Sequence, residues 1–308
     1  MTLRSFSTIR AQAAARKGGD AALAAQLPTM KTAAELAAIP DDRWLSMMSR
    51  CVFQAGFSWK VVENKWPGTE EAFWGFSPAR CRAMSDEAFD ALLKDSRIIR
   101  NGAKVRSVQN NAALVMDLAA EYGSVGKAVG DWPADDYIGL LDLLKKRGDR
   151  LGGGAGMMAL RFMGRDGWVT SPDMVKALAA EGVIDGAVDS QKSRKAIQAA
   201  FSQWAAEEGT PFAHISRILA MSVDEVRGSR RGPEGPLLTM TKTFATRPLF
   251  VILRSEPQAS VSKDAPYDRC PFHAARSVFL SILPVAVSGT AANTTSSGIH
   301  HLTMRGRR

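Results

Sequence analysis

The chain has 308 residues, 45% hydrophobic and 23% charged, ordinary globular composition with room for one large domain or two small ones. Three Tyr against many Ala, Leu, Met, Lys and Arg argue against a strand-rich protein and for an all-α one. The net charge of +9 is uneven: residues 1–228 carry 29 Lys+Arg against 27 Asp+Glu and residues 229–308 carry 11 against 4, so the basic balance alone does not argue for nucleic acid.

Residues 5–17 read as a helix ending at Gly18-Gly19. Arg4, Arg10, Arg16 and Lys17 with no acid among the first 19 residues give it a faint likeness to a transit peptide. "TAAELAAI" is a short helix stopped by Pro40, and Asp41 or Asp42 caps a longer one with Trp44, Leu45, Met48 and Cys51–Val52 on one face. That helix runs into Phe53–Trp59, "FQAGFSW". "SWKVVENKW" follows as a helix expected to end before Pro67-Gly68, and "GTEEAFWGF" is helical again. "SPARCRAM" and "SDEAFDALLKD" are Ser-led helices, the first with Pro at its first position.

A turn at "SRIIRNGA" leads to a long helix from about Lys104 to Glu121, and "ADDYIGLLDLLKKRG" is a helix with a basic last turn and Gly148 as C-cap. "LGGGAGMMALRFMG" is a glycine-rich turn entering a small-residue helix. "SPDMVKALAAEGVI", "SRKAIQAAFSQWAAEEG" and "PFAHISRILAMS" complete an all-α domain spanning 1–227. Residues 228–308, rich in Pro, Ser, Thr and Gly, read as a disordered basic tail. It holds His273, His300 and His301, leaving His214 as the one histidine of residues 1–228. Cys51, Cys81 and Cys270 form neither a disulfide framework nor a CxxC pattern, which makes a reducing cytoplasm the default. The apolar run "VFLSILPVAV" is too short for a membrane span.

Two stretches bear on chemistry. In "LLKKRGDRLGGGAGMMALRFMG", residues 143–164, a basic helix end and a glycine hairpin precede a second helix. Glycines admit an anion to backbone N–H groups at a helix N-terminus, with Lys145, Lys146, Arg147 and Arg150 beside it. A helix-hairpin-helix holds a DNA phosphate this way without reading sequence; equally, the glycines serve close helix packing. No strand precedes them, so a dinucleotide-binding turn is disfavoured. In "FQAGFSW", Gly56 opens space, Phe53, Phe57 and Trp59 offer stacking faces, and Gln54 and Ser58 offer hydrogen bonds to a flat ligand's edge; a bent core helix has the same composition.

"FQAGFSWKVVENKW", "DSRIIRNGAKVRSVQNNA" and "LLKKRGDRLGGGAGMMALRFMGRDGWV", in this order, resemble the DNA-3-methyladenine glycosylase I family of helix-hairpin-helix DNA glycosylases, over roughly residues 44–180. The resemblance implies a monomeric enzyme that binds double-stranded DNA containing alkylated bases, and no organic cofactor is expected. It would flip 3-methyladenine out of the duplex and hydrolyse its N-glycosidic bond in base excision repair. It further implies base binding by Phe53, Gln54, Ser58 and Trp59, with Trp59 stacking on the cationic base. Phe57 would enter the gap in the duplex. Arg100, Asn101 and Lys104 on one turn, and Lys146, Arg147, Gly148, Gly152 and Gly153 on the hairpin, would hold the DNA backbone.

The chain departs from the family pattern at two places. Cys51 stands where the family has a Glu three residues before the Gln, leaving the catalytic residue unassigned; Asp173 is the acid nearest the superfamily's catalytic position and reads as a first-turn helix residue. The family's Cys/His zinc ligands have no counterparts, so no metal is expected. The departure at Cys51 leaves a second reading, a helix-hairpin-helix module that binds alkylated or abasic DNA with impaired catalysis. Glu63, one turn after Trp59, could reach the pocket, with solvent exposure as the default reading. Trp44, Trp66, Trp74 and Trp132 read as packing aromatics and His214 as a surface or packing residue.

Overall fold

Helical spacing is realised along the whole of the chain that the computed structural model describes, residues 3–225. Among these residues there are fourteen α-helices, one short 3-10 turn and no strand, an all-α fold. The boundary at 227, the tail 228–308 and Cys270, His273, His300 and His301 lie outside the described residues. The first third holds α1 (Phe6–Lys17), α2 (Asp20–Ala24), α3 (Ala33–Ala37), α4 (Asp41–Gln54), α5 (Trp59–Ala72), α6 (Pro78–Arg82) and α7 (Asp86–Lys94). Then come α8 (Gly102–Tyr122), α9 (Val125–Gly130), α10 (Tyr137–Arg147), α11 (Gly154–Met163), α12 (Pro172–Ala180), α13 (Gln191–Glu208) and α14 (Phe212–Ser222).

Helix α4 is the hub, packed against α5, α8 and α11. Its Trp44, Leu45, Met48, Val52 and Phe53 are all buried. Two ends of the described chain meet on the far side: α1 packs on α14, and the Trp204 indole N–H donates to the Arg4 carbonyl at 3.0 Å. Phe6 and Ile9 are fully buried there, so α1 is a wall of the core.

Four local expectations need correction. First, the helix expected to stop before Pro67 continues to Ala72. Pro67 removes one N–H, but Trp66, Thr69 and Ala72 are buried, and packing on that face outweighs the lost bond. Second, "FQAGFSW" is a break between helices: α4 ends at Gln54, and Gly56 sits at φ +79°, a conformation that favours glycine. A Cβ there would touch nothing within 4 Å, so Gly56 turns the chain rather than clearing space. Third, Pro40 is the N-cap of α4, while the Asp41 carboxylate accepts from the Val125 N–H at 2.9 Å and so caps α9 across the fold. Fourth, α2 and α9, of five and six residues, were not expected; such short pieces carry too few positions for a 3.6-residue period.

Candidate functional site

The turn after α4 folds α5 back along it, and the two helices meet in a ladder of side-chain pairs. Arg43 donates twice to Glu70, at 3.1 and 3.0 Å. One turn on, the Trp66 indole N–H donates to Glu70 at 3.1 Å, and the Ser46 hydroxyl donates to the same carboxylate oxygen. The next rung sets Arg50 against Glu63, at 3.6 Å. Continuing the register brings Gln54, the last residue of α4, across from Trp59, the first of α5.

The satisfaction of these rungs falls toward the turn. Arg43–Glu70 is fully bonded, whereas Arg50 Nε and Glu63 Oε1 are buried with no hydrogen-bond partner. Gln54 is 2% exposed, and both its amide nitrogen and its oxygen are unpartnered. Leaving a buried amide unpaired costs about 1–3 kcal/mol, so such a group points to a ligand or water. Beside it, the half-buried Trp59 ring meets Phe162 of α11 edge-on, with centroids 6.1 Å apart.

The other base-binding candidates fall differently. Phe53 is corrected: it is 1% exposed and packs edge-on against Trp66, behind the site, because it lies about 100° round α4 from Gln54. Ser58 is exposed at the start of α5 and its side chain makes no cap bond. Phe57 is 37% exposed on the turn between α4 and α5.

Lys104 is also corrected. It is 7% exposed, and its ammonium donates to the carbonyls of Val52, Phe53 and Ala55 at 2.9, 3.0 and 2.6 Å. It therefore closes the C-terminus of α4 rather than facing DNA, and its Nζ lies 4.4 Å from the Phe57 ring centre. Burial, with the nearby Arg150 charge, pulls its pKa down to about 8. Lys104→Met is expected to lower unfolding free energy by about 2–4 kcal/mol, since three carbonyls lose a charged donor. The salt slope of DNA binding should stay at the parent value; a fall of one unit would return Lys104 to the DNA-facing set. Asn101 is likewise occupied: its side chain accepts from the Lys104 N–H at 3.1 Å as the N-cap of α8. Arg100 is exposed.

Helix α8 then buttresses the glycine hairpin. Asn111 Oδ1 accepts from the Asp149 N–H at 2.8 Å, its Nδ2 donates to the Asp149 carbonyl at 3.0 Å, and Asn110 reaches the Asp149 carboxylate at 2.8 Å. Lys104 and Asn111, both on α8, lie about 10 Å apart along its axis. One rod thus carries the turn and the hairpin together.

The hairpin's glycines divide by role. A Cβ at Gly148 would fall 2.6 Å from the Leu144 carbonyl oxygen, and one at Gly156 2.2 Å from that of Leu151, so both allow close packing. Gly148 is thereby corrected from a phosphate contact to a packing glycine. Gly153 caps α11 at φ +70°, and a Cβ at Gly153 or Gly154 would meet nothing within 4 Å. Gly152, Gly153 and Gly154 are all exposed. An exposed helix start without side chains is where an anion reaches backbone N–H groups.

The basic residues divide as well. Arg147 is corrected: it makes a bidentate pair with Glu121, at 2.9 and 2.6 Å. Arg161 and Arg165 donate to the carbonyls of Gly167 and Trp132. Lys145, Lys146 and Arg150 are exposed around the glycines, with Arg150 itself at φ +61°.

Cys51 is 4% exposed, and burial pushes its thiol up to about 12 against the opposing charge of Arg50. It is no nucleophile at neutral pH. In a Cys270→Ser background, Cys51 and Cys81 should resist iodoacetamide at about pH 8 in the folded protein and react fully in denaturant; rapid labelling of the folded chain would contradict the buried thiols. Among the described residues no three His, Cys, Asp or Glu cluster as metal ligands would, and His214 bonds the Pro28 carbonyl at 2.9 Å. Glu63 is corrected from solvent-facing to half-buried in the seam. Asp173 lies in the first turn of α12, one residue after Pro172, as expected. Among the described residues no helix is long and apolar enough to cross a membrane.

Fold and site together define an all-α protein with a buried, unpartnered Gln54 amide, a half-buried Trp59 ring packed on α11, and an exposed glycine start to that same helix. Residues 38–136 match the family described as methyladenine glycosylase. It is 32% identical over 65 residues to DNA-3-methyladenine glycosylase 1 of Escherichia coli (strain K12), covering 21% of this chain and 35% of the relative. The match therefore spans about a third of that relative's length. A crystal structure of 3-methyladenine DNA glycosylase I aligns at 23% identity and TM-score 0.36, covering 46% of this chain and 82% of that one. The Staphylococcus aureus 3-methyladenine DNA glycosylase I aligns at 23% identity and TM-score 0.37, over 41% and 77%.

Proposed function

We propose that this protein is a monofunctional DNA glycosylase that extrudes alkylated adenine, chiefly 3-methyladenine, from duplex DNA and hydrolyses its N-glycosidic bond. The observation that carries the reading is the buried, doubly unpartnered Gln54 amide across from the half-buried Trp59 ring. A planar ligand with donors and acceptors on its edge satisfies both. The family match of residues 38–136 and the relative's name support the substrate class.

Methylation at N3 makes the base a cation and so a good leaving group. It needs little side-chain acid catalysis, in keeping with a buried neutral thiol at position 51. A Trp face holds a delocalised cation with about 0.5–2 kcal/mol. Phe57 fills the gap left in the stack, and the exposed glycines at the start of α11, with Lys145, Lys146 and Arg150, hold the flanking phosphates. Water attacks the anomeric carbon as the C–N bond breaks; the bond's electron pair leaves with the base, which departs as neutral 3-methyladenine, and the attacking water gives up one proton to solvent as it becomes the sugar hydroxyl. The chain acts as a monomer on double-stranded DNA, in the cytoplasm of a bacterial-type cell.

The test is abasic-site formation in alkylated duplex incubated with the full chain, read by alkaline strand cleavage. Sites accumulating with enzyme concentration support the proposal. Tight binding to the same duplex with no abasic sites would instead favour the lesion-binding module, whose supporting observation is the thiol at position 51.

A further inference from the structure

Within the α4–α5 ladder, hydrogen bonding is complete at the Arg43 end and incomplete at the Trp59 end. Arg50 and Glu63 occupy the rung beside the open end. Their closest atoms are 3.6 Å apart, beyond hydrogen-bonding distance, although both side chains are largely covered, at 11% and 26% exposure. Arg50 Nε and Glu63 Oε1 are each buried without a hydrogen-bond partner. Trp59 and Glu63 are four residues apart on α5, and Arg50 and Gln54 four apart on α4, so all four side chains share the facing surfaces of the two helices.

We propose that Glu63 is the carboxylate that faces the cationic base, serving from α5 the purpose a carboxylate at position 51 would serve from α4. This takes the glycosylase reading as given and adds a residue to it. Arg50 alone in the recess wall would repel a cation. Glu63 cancels that charge, and its unpartnered oxygen can accept from an N–H on the base edge. Gln54 fixes the edge and Trp59 the face. Arg50 positions Glu63: its guanidinium lies 3.6 Å from Oε1, near enough to orient the carboxylate without a hydrogen bond to that oxygen.

The experiment uses the full chain and two small probes, 3,9-dimethyladeninium, a fixed cation without a sugar, and its neutral counterpart 9-methyladenine. Affinities are read by calorimetry for the parent, Glu63→Gln, Trp59→Ala and Cys51→Glu/Glu63→Gln. The expected result is that Glu63→Gln weakens the cation about tenfold and the neutral probe less than about twofold, as loss of one charge-assisted contact implies. Adding Cys51→Glu to it should restore most of the cation preference. A role in packing alone would lower both affinities together and would not be rescued from α4.

Equal binding of the cation by Glu63→Gln and the parent, with Trp59→Ala impaired, overturns the assignment of Glu63 and leaves the glycosylase reading standing. If the parent binds neither probe and Trp59→Ala matches it in base release, the glycosylase reading fails and the assignment with it. Should Glu63→Gln not fold because Arg50 is left unopposed, Arg50→Met/Glu63→Gln removes both charges and should show the same selective loss of the cation.

Discussion

Trp59→Ala is expected to cut release of 3-methyladenine from alkylated duplex about a hundredfold, since a base–aromatic stack contributes about 1–3 kcal/mol and each 1.4 kcal/mol is a factor of ten. The ring is half-buried and packs edge-on against Phe162. Truncation therefore removes a stacking face more than a core contact, and the cost to folding should stay below the about 3–5 kcal/mol of a fully buried Trp. Trp59→Phe keeps a smaller face and should retain most of the activity, whereas a ring needed only for packing would show activity following melting temperature across both variants. Release by Trp59→Ala at the parent rate would remove Trp59 from the site.

Lys146→Glu/Arg150→Glu should weaken duplex binding about a hundredfold near 50 mM salt and lower the slope of log affinity against log salt by about two, one for each lost phosphate contact. Both side chains are exposed beside the glycines, and neither bears on the core. Arg147→Met should change the slope much less, because its guanidinium is already paired with Glu121. A second pair of variants separates the glycines. Gly156→Ala must displace the Leu151 carbonyl, 2.2 Å from the new Cβ, and should destabilise the hairpin and DNA binding together. Gly154→Val meets open space, so it should fold like the parent and lose affinity only through the blocked approach of a phosphate. If Gly154→Val binds DNA as the parent does while Gly156→Ala alone fails, the glycines serve packing and not phosphate.

The sequence carried the helices well because their signals are local. Gly148 after "LLKKR", Ser85 before "DEAFDALLK" and the apolar face from Trp44 to Val52 each announce an element on their own. Trp59, Gln54 and the hairpin stood out as candidates for the same reason, as short motifs of unusual composition. What the sequence did not disclose depends on register between elements. Lys104 sits in a basic cluster, and only the packing of α8 beside the end of α4 shows its charge committed to three carbonyls. Arg147 resembles its neighbour Lys146 in sequence, yet Glu121, twenty-six residues earlier, pairs with one and not the other. Glu63 had solvent as its default because no local signal marks its partner; Arg50, thirteen residues earlier on α4, falls opposite it once the two helices pack. Phe53 failed in the opposite sense, an aromatic within the motif that the helix turns toward the core.

The central claim is that this recess accepts an alkylated adenine and that the chain cleaves its sugar bond. Chromatography of the bases released from methylated duplex DNA tests it most directly. The expected result is free 3-methyladenine, appearing in proportion to enzyme and nearly absent with Trp59→Ala. Intact glycosidic bonds after prolonged incubation with folded, DNA-binding protein would contradict it.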